Sequence, residues 1–189
     1  MSRWQPDALG RLAQAALELY GEHGYDQTTV AEIAARAGLT ERTFFRYFAD
    51  KREVLFYGSE SLRTLIVDTL RAVPASAAPL EAVVSTLEVA AASLEEHTGL
   101  ARARKRHAVV SAHAELRERE LIKLASLAAV ISEVLRDRGV KEPAASLVAE
   151  TGIAVFKIAF ERWVEDKKQR KFTSHIRAAL DALRAATAT

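Results

Sequence analysis

Residues 39–51, LTERTFFRYFADK, place cationic and aromatic side chains at helical spacing. Arg42 and Arg46 are four residues apart and therefore share one face of a helix. Phe44 and Phe48 share the opposite face, which we expect to be buried. A guanidinium group can donate two parallel hydrogen bonds to the O6 and N7 of guanine. The segment therefore predicts a helix that is anchored on one side and reads bases on the other.

Four more side chains lie on or beside the cationic face of this helix. Thr43 can contact a base edge or a thymine methyl, and Phe45 can pack on a thymine methyl. Tyr47 and Lys51 are better placed for backbone phosphates. Together they predict a surface that binds double-stranded DNA.

Two short helices joined by a glycine turn would position that surface. Thr29, followed three residues later by Glu32, is the pattern of a capping box that starts a helix. Gly38 ends that helix, and Thr40 can cap the next one, which is the pattern of a helix-turn-helix. The free amides near Thr29 could also bind a backbone phosphate.

The alternative is that the two arginines are ordinary solvated cations paired with nearby carboxylates. The carboxylates within reach are Glu41, Asp50 and Glu53. The capping patterns, the glycine turn and the exposed aromatic ring together favour the DNA-reading interpretation.

Apolar residues recur at helical spacing along nearly the whole chain, which predicts an all-α fold. A first helix is predicted from about Pro6 to His23, and Asp50 with Glu53 predicts a continuous helix over 51–73. The predicted domains are a three-helix helix-turn-helix domain at 1–50, a connecting helix at 51–73, and a helical effector-binding and dimerisation domain at 74–189.

Composition excludes several classes of site. The 189 residues include no cysteine, so disulfides and thiolate nucleophiles are absent, and the five histidines lack metal-ligand spacing. No glycine-rich phosphate loop, HExxH motif or nucleophile–base pair is evident, so we expect neither an enzyme nor a cofactor. The sequence has no signal-peptide pattern and no apolar run of about 20 residues, which predicts a cytoplasmic protein without a membrane partner.

The total charge of the chain does not by itself favour DNA binding. The formal net charge is +2, and residues 1–60 carry seven Lys or Arg against nine Asp or Glu, a balance of −2. DNA binding must therefore depend on where individual cations lie rather than on total charge.

The stretch TTVAEIAARAGLTERTFFRYFADKREVL closely resembles the N-terminal DNA-binding region of TetR-family transcriptional regulators. The resemblance extends from about Leu12 to Leu55. GYDQTTV matches the start of the second helix, IAARAGLT that helix and the turn, and TFFRYFADK the recognition helix and the lysine after it. It implies a ligand-responsive repressor that an effector releases from its operator.

The resemblance also implies roles for individual residues. Thr29 would bind phosphate, Lys51 stands where the family has a phosphate-contacting lysine, and Tyr47 stands where it often has a histidine. The family commonly has tyrosine at the position of Phe45, so only apolar contact remains there. The residues that would face base edges are Arg42, Thr43 and Arg46.

Residues beyond about Pro79 would form, by the same resemblance, a helical domain that senses an unknown small-molecule effector and dimerises. Candidate pocket residues are the aromatic side chains of the helix predicted at 142–167 together with two polar residues: His107, Glu150, Phe156, Phe160 and Trp163. The alternative is that the rings are ordinary core and the polar residues are core or solvated positions.

The helix at 142–167 is apolar over most of its circumference, so it must be covered on two sides. Its own domain can cover one side and a second copy of the chain the other, which predicts a homodimer. The candidate interface residues are Ile158, Ile176, Leu180 and Leu183. The alternative is a single monomeric bundle.

Two further alternatives concern function. The basic cluster Arg102–Arg106 could be a second nucleic-acid site, but a solvated face or a bridge to the DNA-binding helices is favoured. The whole chain could also be a helical small-molecule-binding protein with a degenerate DNA-reading face. The cations at Arg42, Arg46 and Lys51 oppose that second alternative.

Overall fold

The computed structural model describes residues 8–188, and every regular element among them is a helix, which confirms the predicted all-α fold. Pro6, where the first helix was predicted to begin, lies outside the described residues. The α-helices are α1 Ala8–Glu22, α2 Val30–Arg36, α3 Glu41–Tyr47, α4 Ser59–Ala72, α5 Pro79–Thr98, α6 Leu100–Ala112, α7 Ala114–Asp137, α8 Ala144–Glu165 and α9 Phe172–Thr187, with a 3-10 helix at Glu53–Phe56.

The chain folds into two compact units whose limits differ from the predicted domains. Unit 1 contains the chain up to Ser59 together with Lys105–Glu120. Unit 2 contains Glu60–Arg104 and the chain from Leu121 onward. The end of α6 and the start of α7 therefore belong with the helix-turn-helix, a pairing that local sequence patterns cannot reveal.

Unit 1 has an apolar core built from α1, α2, α3 and the 3-10 helix. Leu12, Ile33 and Phe44 are fully buried there. Val110 of α6 and Leu116 of α7 are buried in the same cluster, so these two helices complete the core. The outer side of α3 is left to solvent.

The predicted continuous helix over 51–73 is wrong. Asp50 accepts hydrogen bonds from the amides of Arg52 and Glu53, as a cap should, but the element that follows is a short 3-10 helix. The chain then breaks at Tyr57, with ψ of 133°, and at Gly58, with φ of 87°. A positive φ of this kind favours glycine and cannot continue an α-helix. The connecting helix α4 therefore starts at Ser59.

Unit 2 is a bundle in which α5, α8 and α9 pack on one another. Gly152 on α8 faces Val83 on α5 so closely that a Cβ at residue 152 would overlap the valine side chain. Its lack of a side chain allows the two helices to approach. Ile131 and Leu135 of α7 are buried in the same core.

The turn between α8 and α9 is organised around Asp166. Its carboxylate accepts hydrogen bonds from the Lys168 amide at 3.0 Å and from His175 Nε2 at 3.1 Å. The Arg170 side chain donates at 2.9 Å, and this bond, followed by that of the Lys168 amide, lowers the pKa of Asp166 well below its usual range. The ionised carboxylate therefore fixes the path of the chain into α9.

Candidate nucleic-acid interface

The recognition helix α3 is held in place by its turn, its cap and its inner face. Gly38 has φ of 66°, which lets the chain reverse between α2 and α3. The Thr40 hydroxyl accepts a hydrogen bond from the Thr43 amide at 3.2 Å and starts α3 as predicted. Phe44 and Phe48 are buried on the inner side with ring centroids 5.5 Å apart, which confirms the predicted inner face.

The outer face of α3 presents a cation and an aromatic ring to solvent. Arg42 is exposed and makes no side-chain hydrogen bond or ion pair with any other described residue. Phe45 is 55% exposed and stands at 82° to the ring of Phe44. The Thr43 hydroxyl is 3.0 Å from that of Thr40, so it is partly occupied at the start of the helix. The face thus offers a guanidinium group and an apolar edge side by side.

Arg46 and Tyr47 form a pair on the same exposed surface. Arg46 Nη2 donates to the Tyr47 hydroxyl at 2.8 Å, and its guanidinium carbon lies 4.7 Å from the centre of the tyrosine ring. The contact fixes the direction of the guanidinium group. Two of the three carboxylates named in the alternative are used elsewhere, because Asp50 binds Arg52 and Glu53 binds Arg119.

Thr29 forms the predicted capping box with Glu32. The Thr29 hydroxyl accepts from the Glu32 amide at 3.2 Å and donates to its carboxylate at 2.8 Å. The Thr29 amide, followed by the hydroxyl, holds the pKa of Glu32 below its usual range. An ionised carboxylate therefore stands beside the predicted phosphate contact, and a phosphate there would have to take over the Thr29 donors.

The side chain of Lys51, which was predicted to contact phosphate, binds main-chain carbonyls within the protein. Its ammonium group donates to the main-chain carbonyls of Tyr25 at 2.8 Å, Asp26 at 3.2 Å and Thr28 at 3.1 Å. The spacing from the recognition helix could not reveal this, because the acceptors lie 23 to 26 residues earlier in the chain.

Tyr25 is a buried residue of unit 1 that sequence reasoning missed. It is 2% exposed, and its ring lies 4.9 Å from that of His113, just before α7. Burial, followed by a hydrogen bond with Glu115, raises the pKa of Tyr25, so its hydroxyl stays protonated. The sequence feature that could have indicated its burial was an aromatic residue in the loop GYD, between two predicted helices.

The basic cluster Arg102–Arg106 has structural partners at two of its positions. Arg106 donates to the carbonyl of Leu55 at 2.7 Å and to Glu120 at 2.8 Å, within unit 1. Arg104 donates to the carbonyl of Val164 at 2.6 Å, at the end of α8 in unit 2. Each of these guanidinium groups therefore holds backbone in place within its own unit.

Residues 12–57 match the family model for bacterial regulatory proteins of the tetR family. The matched segment contains α2, the glycine turn, α3 and the exposed face described above. The helix-turn-helix segment of this chain therefore resembles that of the tetR family.

Known proteins similar to this chain include transcriptional regulators. An uncharacterized HTH-type transcriptional regulator of Mycobacterium tuberculosis (strain CDC 1551 / Oshkosh) is 36% identical over 87 residues, which cover 46% of this chain but only 44% of that protein. A second M. tuberculosis protein (strain ATCC 25618 / H37Rv), MftR, is named for the regulation of mycofactocin biosynthesis. It is 29% identical over 175 residues, covering 91% of this chain and 87% of its own length.

A solved structure shares the fold of this chain over nearly its whole length. FadR of Thermus thermophilus, a TetR-family transcriptional repressor in complex with lauroyl-CoA, superposes with a TM-score of 0.54 at 22% identity. The superposition covers 96% of this chain and 95% of that one. A helix-turn-helix domain followed by a helical C-terminal domain is therefore the fold of this protein.

The predicted aromatic pocket residues of this protein lie around Phe172, a residue that the sequence analysis did not single out. Phe172, fully buried at the start of α9, stacks on Trp163 with ring centres 4.7 Å apart and planes at 7°. The ring centres of Phe156 and Phe160 lie 5.3 Å and 5.8 Å from the ring centre of Phe172. The three predicted rings are thus brought together in one aromatic cluster with Phe172.

Each of the two polar pocket residues has surroundings of its own. Glu150 is exposed on α8, in agreement with the solvated alternative. His107 belongs to unit 1, where its Nε2 lies 3.4 Å from the Ser111 hydroxyl. The assignment of the five residues to an effector pocket stays a prediction.

The predicted dimer residues of this protein divide into two groups. Ile176 is fully buried and Leu180 is 5% exposed, both in the core of their own chain, so assigning them to an interface was wrong. Leu183 is half-buried against the same core. Ile158 is 46% exposed on α8, and Leu147 on the same helix is 63% exposed. Of the two helices α8 and α9, it is therefore α8 that carries large exposed apolar side chains.

Neither a metal centre nor a membrane-spanning helix is found among residues 8–188. No group of three or more histidine, aspartate or glutamate side chains within them could hold a metal ion. Across residues 8–188, no helix is both long enough and apolar enough to cross a membrane.

Proposed function

We propose that this protein is a sequence-specific DNA-binding transcriptional regulator of the TetR family that reads double-stranded operator DNA with the outer face of α3. The observation that carries the proposal is the exposure of Phe45 between two cations, Arg42 and Arg46, on a helix whose inner face is buried. Exposing a large aromatic ring to water is unfavourable unless a partner covers it. A helix of this size fits the major groove of B-DNA.

Each side chain of that face has a role in the proposal. Arg42 and Arg46 pair with guanine, and Phe45 packs on a thymine methyl. Thr43 takes a base edge or a second methyl group, and Tyr47 contacts phosphate. The pairing of Arg46 with Tyr47 reduces the freedom that Arg46 must lose on binding. Thr29 remains a proposed phosphate contact, in competition with Glu32.

A homodimer is the second part of the proposal. Leu147, Ala154 and Ile158 lie on the exposed side of α8 at spacings of seven and four residues, so they form one apolar stripe. On α9, Ala178 and Ala182 are exposed four residues apart and would let another helix approach closely. Burying these surfaces against a second copy of the chain satisfies both helices.

Control by a small-molecule effector is the third part. The core of unit 2 is almost wholly apolar, and Thr86, Ser132 and His175 are its only buried polar side chains among the described residues. An apolar effector is therefore the class that its interior would accept. The lauroyl-CoA complex of T. thermophilus FadR, which shares this fold, supports that class. We propose that effector binding releases the protein from its operator, which makes it a repressor.

A gel-shift experiment against the DNA upstream of the protein's own gene tests the central proposal. Retarded bands that survive excess unrelated duplex are expected. No retention of that DNA, or of any duplex selected from a random library, would favour the alternative of a helical small-molecule-binding protein with a degenerate DNA-reading face.

A further inference from the structure

Lys51 connects two segments of unit 1 that are distant in sequence. Its ammonium group carries three donors, and the three carbonyls of Tyr25, Asp26 and Thr28 lie within 3.2 Å of it. Every donor of the group is therefore used inside the protein. A phosphate could be bound only after one of these hydrogen bonds had been broken.

Both ends of this lysine are fixed. Its nitrogen lies 4.5 Å from the centre of the Tyr25 ring, a favourable position for a cation. At the other end, the hydroxyl of Tyr20 on α1 donates to the Lys51 carbonyl at 2.6 Å. Tyr20 and Tyr25 are 3% and 2% exposed, so water competes poorly for these contacts.

The segments that Lys51 joins lie at the open end of the helix-turn-helix. Thr28 comes two residues before the first residue of α2, and Lys51 comes four residues after the last residue of α3. At their other ends the two helices are joined covalently through the turn at 37–40. Without a contact such as this one, only side-chain packing would hold the far ends of α2 and α3 together.

We propose that Lys51 is a positioning residue that closes the open end of the helix-turn-helix and thereby sets the orientation of α3, rather than a contact to DNA phosphate. The inference rests on the proposed function for its consequence in DNA binding. Its structural part, the fixing of the α1–α2 loop, is independent of DNA. The two parts call for separate measurements.

The DNA-independent measurement is amide hydrogen exchange in Lys51→Met, which keeps an apolar stem and removes the ammonium group. Faster exchange than in the wild type is expected for the amides of residues 25–32, in the absence of DNA. Tyr20→Phe removes one hydroxyl and should produce a smaller change in the same amides, which keeps the test available if Lys51→Met does not fold. Arg52→Met is the matched control, since it removes the neighbouring cation, which pairs with Asp50 on the surface. Unchanged exchange at residues 25–32 in both Lys51→Met and Tyr20→Phe would overturn the proposal.

The DNA-dependent measurement is the salt dependence of binding to a duplex selected from a random library by the wild-type protein. Lys51→Met should weaken binding by about tenfold or more, as expected for the loss of hydrogen bonds to a charged group. The slope of log K against log salt should stay at the wild-type value. A slope shallower by about 0.9 would instead identify Lys51 as a phosphate contact and overturn the proposal. If the wild type selects no duplex at all, the proposed function fails, whereas the exchange experiment still decides the role of Lys51.

Discussion

Gly152 on α8 and Val83 on α5 meet with no room for a side chain between them. Gly152 lies within a helix, where alanine is intrinsically preferred by about 1 kcal/mol. Two opposite effects therefore compete when alanine replaces this glycine, and the close contact decides which is larger.

We expect Gly152→Ala to destabilise the protein by about 1–3 kcal/mol, because an overpacked core must shift or strain. The free energy of unfolding in urea measures the loss. Gly21→Ala is the matched control, since no atom lies within 4 Å of a Cβ at that helical position. Val83→Ala should partly rescue Gly152→Ala in a double-mutant cycle. A more stable Gly152→Ala protein would contradict the packing described for α5 and α8.

Arg42→Ala should weaken binding to the selected duplex by about 1–3 kcal/mol and relax the preference at one base pair. The reason is that its guanidinium group is exposed on α3 and has no partner among the described residues. Binding curves with every single-base variant of the duplex measure both effects. Arg63→Ala, which removes an exposed cation paired with Glu60 on α4, should leave the preference intact. Identical curves for Arg42→Ala and the wild type would remove Arg42 from base reading.

Ile158→Glu should convert the proposed dimer to a folded monomer. Ile158 is exposed in the single chain, so a charge there opposes association but not folding. Light scattering gives the mass, and circular dichroism shows whether the helices remain. Leu180→Glu provides the contrast, because a charge at a buried position should unfold unit 2. A dimeric Ile158→Glu protein would show that α8 does not form the interface.

Asp166→Asn should lower stability in a pH-dependent way. The pKa of Asp166 is lower in the folded protein than in the unfolded chain, so its ionised form contributes stability at neutral pH that is lost as the pH falls through the folded-state pKa. The difference in unfolding free energy between wild type and Asp166→Asn should therefore shrink below about pH 4. Urea titrations at a series of pH values measure it, with Asp68→Asn as an exposed control. A difference that is constant with pH would contradict the role given to the carboxylate.

Helical periodicity predicted most of this fold correctly because it depends on which residues face the core. Capping patterns placed α2 and α3 well, since Thr29 and Thr40 act over three residues and need no distant partner. Gly58 was visible in the sequence, yet the capping pattern of Asp50 and Glu53 led to the prediction of an unbroken helix.

Distant partners explain the remaining errors. A buried stripe looks the same in sequence whether its own chain or a second copy covers it, so Ile176 and Leu180 were assigned to an interface. The direction of a long flexible side chain is equally undetermined by the local sequence, so the carbonyl partners of Lys51 could not be predicted, and its phosphate contact stays a prediction. Phe172 was missed because its importance comes from rings on another helix.

The division of unit 1 into two separated stretches of chain has a consequence for how the protein is made. A ribosome releases the residues up to Ser59 long before it has polymerised Val110 and Leu116, which complete their core. The DNA-reading half therefore cannot finish folding as the first product of translation, although it stands first in the gene. A shortened gene that stops after Ser59 would encode every side chain proposed to touch DNA and still lack part of the interior that holds them in place.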